Sequence, residues 1–341
     1  MLIPTHIKPY EIYDVFHANG YFIIITPIKV KSLGIFLNKQ QFIRSVISTQ
    51  TYRLQGKYTE FIDLCIDGTE IHNVKVNVYP DVQDEIVLTT MVKNEDNYIR
   101  QWIEYHLLIG FTKFIIYDNA NSINCRYQSD ETSSDLVNVL DKYIQLGQVI
   151  LVEWNYPKAI ECVTTGQYAQ QQHSLLNCKS ARYMAFFDID EYINITNCSD
   201  PYNIINSLDS IITDKVAGVQ IWCKFMQNCS HKNEDNYEFL KITDYFYCIN
   251  GDQNKPRYDG ANSPKFIVKP DRVYNCAVHN YHPTNKYKHF KIKNYDSLYF
   301  NHFYFLNKKS LCGRWRNRRK CIYIDDTLIK YYDKLVEQKL E

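Results

Sequence analysis

The sequence predicts an α/β fold on a mostly parallel sheet, preceded by a small β-rich unit. Three observations carry this reading. Short apolar runs without alternation recur at 86–92, 114–117, 148–154 and 183–187, the signature of strands buried on both faces. Segments of helical periodicity separate them at βαβ lengths, which favours parallel pairing. The first eighty residues instead hold β-rich runs broken by turn residues, with no room for helical crossovers.

The leader, residues 1–80, reads as an antiparallel unit with strands within Gly20 to Ile28, Tyr52 to Leu54, Phe61 to Ile66 and Ile71 to Tyr79, Asp67-Gly68 marking a turn. It suits an accessory domain, an oligomerisation surface or a sheet edge. From Glu85 the pattern changes. Ile86 to Val92 is a buried strand, Asn94-Glu95-Asp96 caps a helix and places acids in its first turn, and Ile99, Trp102, Ile103 and Leu107 recur at helical spacing until Gly110. Phe114 to Tyr117 is the second strand, stopping at Asp118-Asn119. Leu136 to Leu146 then reads as helix, Gln148 to Trp154 as strand, Thr164 to Cys178 as helix and Tyr183 to Phe187 as strand. Beyond Ile193 the rhythm loosens: a segment from Tyr202 to Ile212, a strand from Val216 to Phe225, a polar loop from Gln227 to Tyr237, segments at Lys265 to Lys269 and Leu298 to Phe305, and a basic helix from Lys308 to Cys321. The main domain is set at 81–325, with a helical tail at 326–341.

Composition narrows the function classes. With 341 residues and 45% hydrophobic content the chain can bury a large core, and 39 basic against 38 acidic residues create no global field for nucleic acid or membrane. Eleven cysteines without a Cys-x-x-Cys pair indicate neither a zinc site nor a complete disulfide framework, so buried free thiols are expected. The opening residues lack a signal-peptide pattern and no apolar run reaches the ~20 residues of a membrane span, so a reducing, cytoplasmic setting is expected. Sequons at Asn194, Asn197 and Asn228 then read as chance in an Asn-rich chain.

The most informative segment is 183–193, where an uncharged run enters three carboxylates, Asp188, Asp190 and Glu191. Acids beyond the carboxyl end of a parallel strand sit where such sheets bind ligands, and carboxylates at i and i+2 of an extended segment point the same way. With no cation beside them in sequence, a magnesium or manganese ion carrying a substrate diphosphate is the natural partner. The plainer alternative is a turn or helix cap with solvated acids.

Several segments in register resemble glycosyltransferase family 92: Val92-Lys93-Asn94-Glu95, Trp102-Ile103-Glu104-Tyr105-His106 with Gly110-Phe111, Tyr117-Asp118-Asn119, Phe187-Asp188-Ile189-Asp190-Glu191, Ser263 to Pro270 leading to Val278-His279, and Asn301-His302-Phe303-Tyr304 before Lys309-Ser310. The resemblance covers about residues 85 to 320. It implies a GT-A type fold holding a UDP-sugar, a Mn2+ or Mg2+ ion bridging the diphosphate, and transfer of galactose or a related hexose to a glycan or other hydroxyl acceptor with inversion. On this reading Asp188, Asp190 and His279 hold the metal, with His302 competing for the histidine role. Asn94, Glu95 and Asp118 lie where base and ribose bind, Asp188 doubles as a ribose ligand, and Lys265 contacts phosphate. Inversion requires one general base, for which Glu191, Glu234 and Asp235 are candidates beside Glu238 and Asp244.

The basic run Lys308, Lys309, Arg314, Arg316, Arg318, Arg319 and Lys320 suits a solvated face, a diphosphate cover, an anionic acceptor or RNA. The family's Trp-x-x-Phe-Gly element stands here as Trp222-Cys223-Lys224-Phe225-Met226, without the glycine, which leaves the acceptor open. The alternatives are a metal-dependent nucleotidyltransferase or phosphohydrolase, and a non-catalytic carbohydrate- or RNA-binding protein on a transferase fold. Nucleotide sugar and glycan acceptor are the expected partners, with no nucleic acid; a homo-oligomer stays open.

Overall fold

The computed structural model describes residues 1–5, 7, 12–26, 35–44, 51–66, 68–93, 95–120, 135–156, 165–196, 200–228, 245–248, 264–292, 297–303, 321–323, 328, 331 and 334–335. The N-terminal unit contains β1 (Asp14–Ala18), β2 (Tyr21–Ile25), β3 (Ile35–Leu37), β4 (Gln40–Gln41), β5 (Ile43–Arg44), β6 (Thr51–Gln55), β7 (Phe61–Ile66) and β8 (Thr69–Lys75). They form two antiparallel sheets, ordered β1-β2-β6-β5 and β4-β3-β7-β8. Asn19-Gly20 joins β1 to β2 with φ of 52° and 81°, the left-handed pair that a two-residue hairpin turn requires. Strand alternation then buries both faces of β2: Phe22 and Ile24 enter the unit's own core, while Ile23 and Ile25 enter a core shared with the main sheet.

The main sheet begins with β9 (Ile86–Val92), α1 (Asp96–Leu108), β10 (Lys113–Asp118), α2 (Leu136–Val139), α3 (Asp141–Gln145), β11 (Val149–Glu153), α4 (Thr165–Asn177) and β12 (Tyr183–Phe186). These four strands pair in parallel, in the order β11-β10-β9-β12. Ile99, Trp102 and Ile103 of α1 pack on one face with Leu88, Phe114 and Ile116; Ala169, Leu175 and Leu176 of α4 pack on the other with Val87, Ile115 and Val152. The chain therefore winds outward from β9, then returns to its far side at β12. Such a reversal opens a crevice at the carboxyl ends of β9 and β12.

The rest comprises β13 (Glu191–Ile195), α5 (Ile204–Ile211), β14 (Val216–Ile221), β15 (Cys223–Asn228), β16 (Tyr245–Cys248), β17 (Lys265–Val268), β18 (Val273–Ala277), β19 (Asn280–Pro283), β20 (Lys288–Lys291), β21 (Leu298–His302) and β22 (Cys321–Tyr323). β17 joins the main sheet antiparallel to both β12 and β14, and β20 pairs in parallel with β14. The sheet is thus mixed. Its order is β11-β10-β9-β12-β17-β14-β20, and a second sheet runs β13-β21-β15-β16-β22. The strand expected from Val216 to Phe225 divides at Trp222, because β14 pairs with β17 while β15 turns away to pair with β21. The helix expected from Leu136 to Leu146 likewise divides at Leu140, whose φ of −103° and ψ of 2° leave the helical region. In the expected tail, Leu328, Tyr331 and Leu335 join the larger core.

Candidate active site

The acidic segment owes its shape to a tight turn. β12 ends at Phe186, the Glu191 amide donates to the Asp188 carbonyl at 3.1 Å, and the Asp188 amide donates to Glu191 Oε2 at 2.8 Å. Between the acids, Ile189 is 2% exposed and enters the core. Burying that apolar side chain anchors the turn, so Asp188 and Asp190 do not share one extended edge. They face different partners.

Asp188 faces β17. The antiparallel register Phe186↔Phe266 brings Lys265 to the end of β12, where its Nζ lies 2.7 Å from Asp188 Oδ2 and 3.1 Å from Glu191 Oε2. Gln167 on α4 donates to Asp188 Oδ1 at 3.0 Å. Burial alone would lower the Lys265 ammonium, but the two carboxylates outweigh it and raise its pKa. Asp188 keeps 40% of its side chain open to solvent, whereas Lys265 and Glu191 each keep 1%.

Asp190 faces β21. Register Glu191↔His302 sets His302 beside the turn, with Nε2 3.3 Å from Asp190 Oδ2 and Nδ1 3.8 Å from Glu191 Oε1. One ligand atom each from Asp190, Glu191 and His302 falls within 4.8 Å of the others. Burial would lower His302, yet the Asp190 charge and hydrogen bond, a Cys223 hydrogen bond and the Glu191 charge hold its pKa well above the ordinary value. Glu191 is pushed up to about 7 by burial, against the pull of Lys265 and with the push of Asp188. Its Oε1 is buried and accepts no hydrogen bond among the described residues.

His279, in the β18–β19 turn, lies within reach of the same charges. Burial and then Lys265 lower its pKa, while Asp188 opposes them. Its Nδ1 lies 3.1 Å from the Pro264 carbonyl, which can only accept, so the proton sits on Nδ1 and Nε2 carries the lone pair. Asp118 ends β10 on the carboxyl edge and accepts from the Ala120 amide at 3.0 Å. Glu95 is the N-cap of α1 without a side-chain cap hydrogen bond, and Asp96 follows in the first turn. Asn94, Glu234, Asp235, Glu238, Asp244 and the basic run from Lys308 to Lys320 lie outside the described residues.

Two contributors escaped the sequence reading. Gln167 reads as an ordinary polar residue of α4, and only the return of that helix to the β12 edge brings it to Asp188. Trp102 reads as a core position, yet its indole N–H also donates to the Glu191 carbonyl at 3.0 Å and ties α1 to the acidic turn.

A doubly wound sheet with an acid, lysine and histidine cluster at its carboxyl edge has its polar groups where open α/β sheets bind ligands. The family model for glycosyltransferase family 92 matches residues 88–340, and the chain belongs to that family. A glycosyltransferase family 92 protein of Ricinus communis is 23% identical over 161 residues, covering 47% of this chain and 26% of the relative. One of Arabidopsis thaliana is 26% identical over 135 residues, covering 39% and 20%, and one of Oryza sativa subsp. japonica 29% over 106 residues, covering 31% and 15%. These alignments thus span about a quarter or less of the relatives' own length. Among solved structures, the apo form of the bifunctional glycosyltransferase WbbM matches 50% of this chain and 27% of its own at 12% identity and a TM-score of 0.24.

Proposed function

We propose that the chain is a glycosyltransferase with a GT-A type donor site, which moves a sugar from a UDP-sugar to a hydroxyl of a glycan acceptor. The single observation that carries this reading is the convergence of Asp190, Glu191 and His302 at the carboxyl edge, beside a buried Lys265 that pairs with Asp188. Family membership supplies the reaction class.

Two carboxylates and one imidazole are a donor set that suits manganese or magnesium, and Glu191 Oε1, which accepts no hydrogen bond among the described residues, fits an oxygen ligand for a cation. Asp190 and His302 would hold the ion, with Glu191 Oε1 completing the set; on this reading His302 is preferred to His279, supported by its nearness to Asp190 and Glu191. A divalent ion bound there supplies neutralisation of the charge that builds on the departing diphosphate.

The remaining residues position. Lys265 is too deeply buried to reach a phosphate from solvent, and its role is to hold Asp188 and Glu191 at fixed distances. Asp188, with its exposed carboxylate edge, is placed to accept from a sugar or ribose hydroxyl. Glu191 is closed off from an acceptor, so beside its place in the metal set its Oε2 serves the turn. The base for the acceptor hydroxyl is then sought among the other acids.

The test is a panel of nucleotide sugars screened by thermal shift with manganese. A ligand at 100 times its dissociation constant adds about 2.7 kcal/mol of stability. UDP-sugars are expected to raise the midpoint only with metal present, and the donor that does so is expected to release UDP when acceptor is added. Metal-dependent release of phosphate or nucleotide without any sugar acceptor would instead identify a phosphohydrolase.

A further inference from the structure

Away from the acidic cluster, the two N-terminal sheets and Tyr274 of β18 line a groove of about 900 Å³ whose lining includes Tyr21, Gln40, Arg53, Gln55, Lys57 and Tyr274. It shares no residue with the candidate active site. Among the lining residues Arg53 is held mid-sheet by the registers Ile23↔Arg53 and Ile43↔Arg53. The guanidinium reaches across the seam until Nη2 stands 3.5 Å from the Tyr274 carbonyl, and its buried Nε donates to no acceptor among the described residues.

Arg53 also lacks a carboxylate partner among the described residues. Among the described residues no carboxylate forms an ion pair with Arg53 or Lys57. A guanidinium does not give up its proton in proteins, so a half-buried one without an anion carries an uncompensated desolvation cost. The surrounding field agrees: Lys179 is lowered to about 7 by burial and then by the Arg53 charge.

The rest of the lining limits the occupant. The fork of an arginine matches the two oxygens of a carboxylate or phosphate, and Lys57 adds a second cation. Gln40 and Gln55 offer amides suited to hydroxyl groups, and Tyr21 and Tyr274 offer flat rings with a polar edge. The volume lies in the range of sites for whole organic ligands and exceeds what one inorganic anion fills. We propose that this groove is a second saccharide site, which binds a sugar bearing a carboxylate or phosphate group with Arg53 on the anion.

The proposal stands apart from the transferase reading, because binding is measured directly. The full chain is titrated calorimetrically with a glucuronate-terminated disaccharide, galactose 6-phosphate, lactose, inorganic phosphate and a short oligoribonucleotide. Either or both acidic saccharides bind, and the tighter one names the anionic group. Their affinity falls about tenfold or more in Arg53→Gln, the loss of one charge-assisted contact, and several-fold in Lys57→Gln. Lactose binds at least about tenfold more weakly. Lys57 is exposed, so its variant folds even if Arg53→Gln does not. The proposal is overturned if neither acidic saccharide binds, if both variants bind them as tightly as the wild type, or if lactose, inorganic phosphate or the oligoribonucleotide binds as tightly as they do.

Discussion

His173 Nε2 lies 3.0 Å from Asp14 Oδ2, with neither side chain reaching solvent. The pair joins α4 of the main sheet to the first strand of the N-terminal unit, and it is fully dressed. Tyr117 meets His173 Nδ1 at 2.7 Å, Tyr79 donates to Asp14 Oδ2 at 2.6 Å, and Asn77 with the Thr5 and Val15 amides covers Asp14 Oδ1. Removing one partner of such a network strands the others without water. Asp14→Ala is therefore expected to cost about 3 kcal/mol or more in urea denaturation. A chain beginning at residue 81 is expected to expose the apolar faces that Ile23 and Ile25 cover, and to aggregate. A soluble, cooperatively unfolding truncation would show that the leader is independent after all.

The acidic turn rests on a different buried charge. Lys265→Met leaves Glu191 and Asp188 without their cation, a loss of about 3 kcal/mol by the same reasoning. Adding Glu191→Gln removes one of the stranded acids, so the double variant is expected to be more stable than the sum of the single losses. Strict additivity in a double-mutant cycle would mean that the 3.1 Å Lys265–Glu191 contact carries no energy.

Acid sensitivity is expected from His106. Its imidazole is fully buried, Nδ1 lies 2.8 Å from the Trp102 carbonyl, and burial lowers its pKa from 6.5 to about 3 despite that bond. Between those values the unfolded chain binds a proton that the folded chain refuses. The stability is thus complete above pH 6.5 and is lost as pH falls toward 3. From neutral pH to pH 5 the loss from this group is about 2 kcal/mol. His106→Phe is expected to flatten that part of the profile, measured as the wild-type minus variant difference in denaturation free energy at each pH; an unchanged slope would place the sensitivity elsewhere.

What could be read from the sequence was what local pattern encodes. The runs 86–92 and 114–117 are strands because burial on both faces leaves only apolar residues, and α4 is a helix within a residue of its expected ends at each side. Of the expected buried free thiols, Cys178 and Cys276 are buried, while Cys65 and Cys223 are only partly so. Partnerships across the chain were not legible. Asp14 and His173 stand 159 positions apart and each reads as an isolated polar residue. Likewise, Lys265 and His302 reach the acids through the β12–β17 and β13–β21 registers, which no local periodicity states. The turn at Asp188 to Glu191 stands in the sequence only as the plainer alternative, because an Asp-x-Asp after an apolar run continues a strand equally well. Only the burial of Ile189 decides against it.

The central claim is that Asp190, Glu191 and His302 hold a divalent cation. Its most direct test is calorimetric titration of manganese, without any nucleotide, into the wild type, Asp190→Asn, His302→Ala and His279→Ala. The account predicts one site in the wild type, binding lost or weakened at least about tenfold in Asp190→Asn and His302→Ala, and a smaller change in His279→Ala. Manganese affinity unchanged in Asp190→Asn, or weakened more by His279→Ala than by His302→Ala, would contradict it.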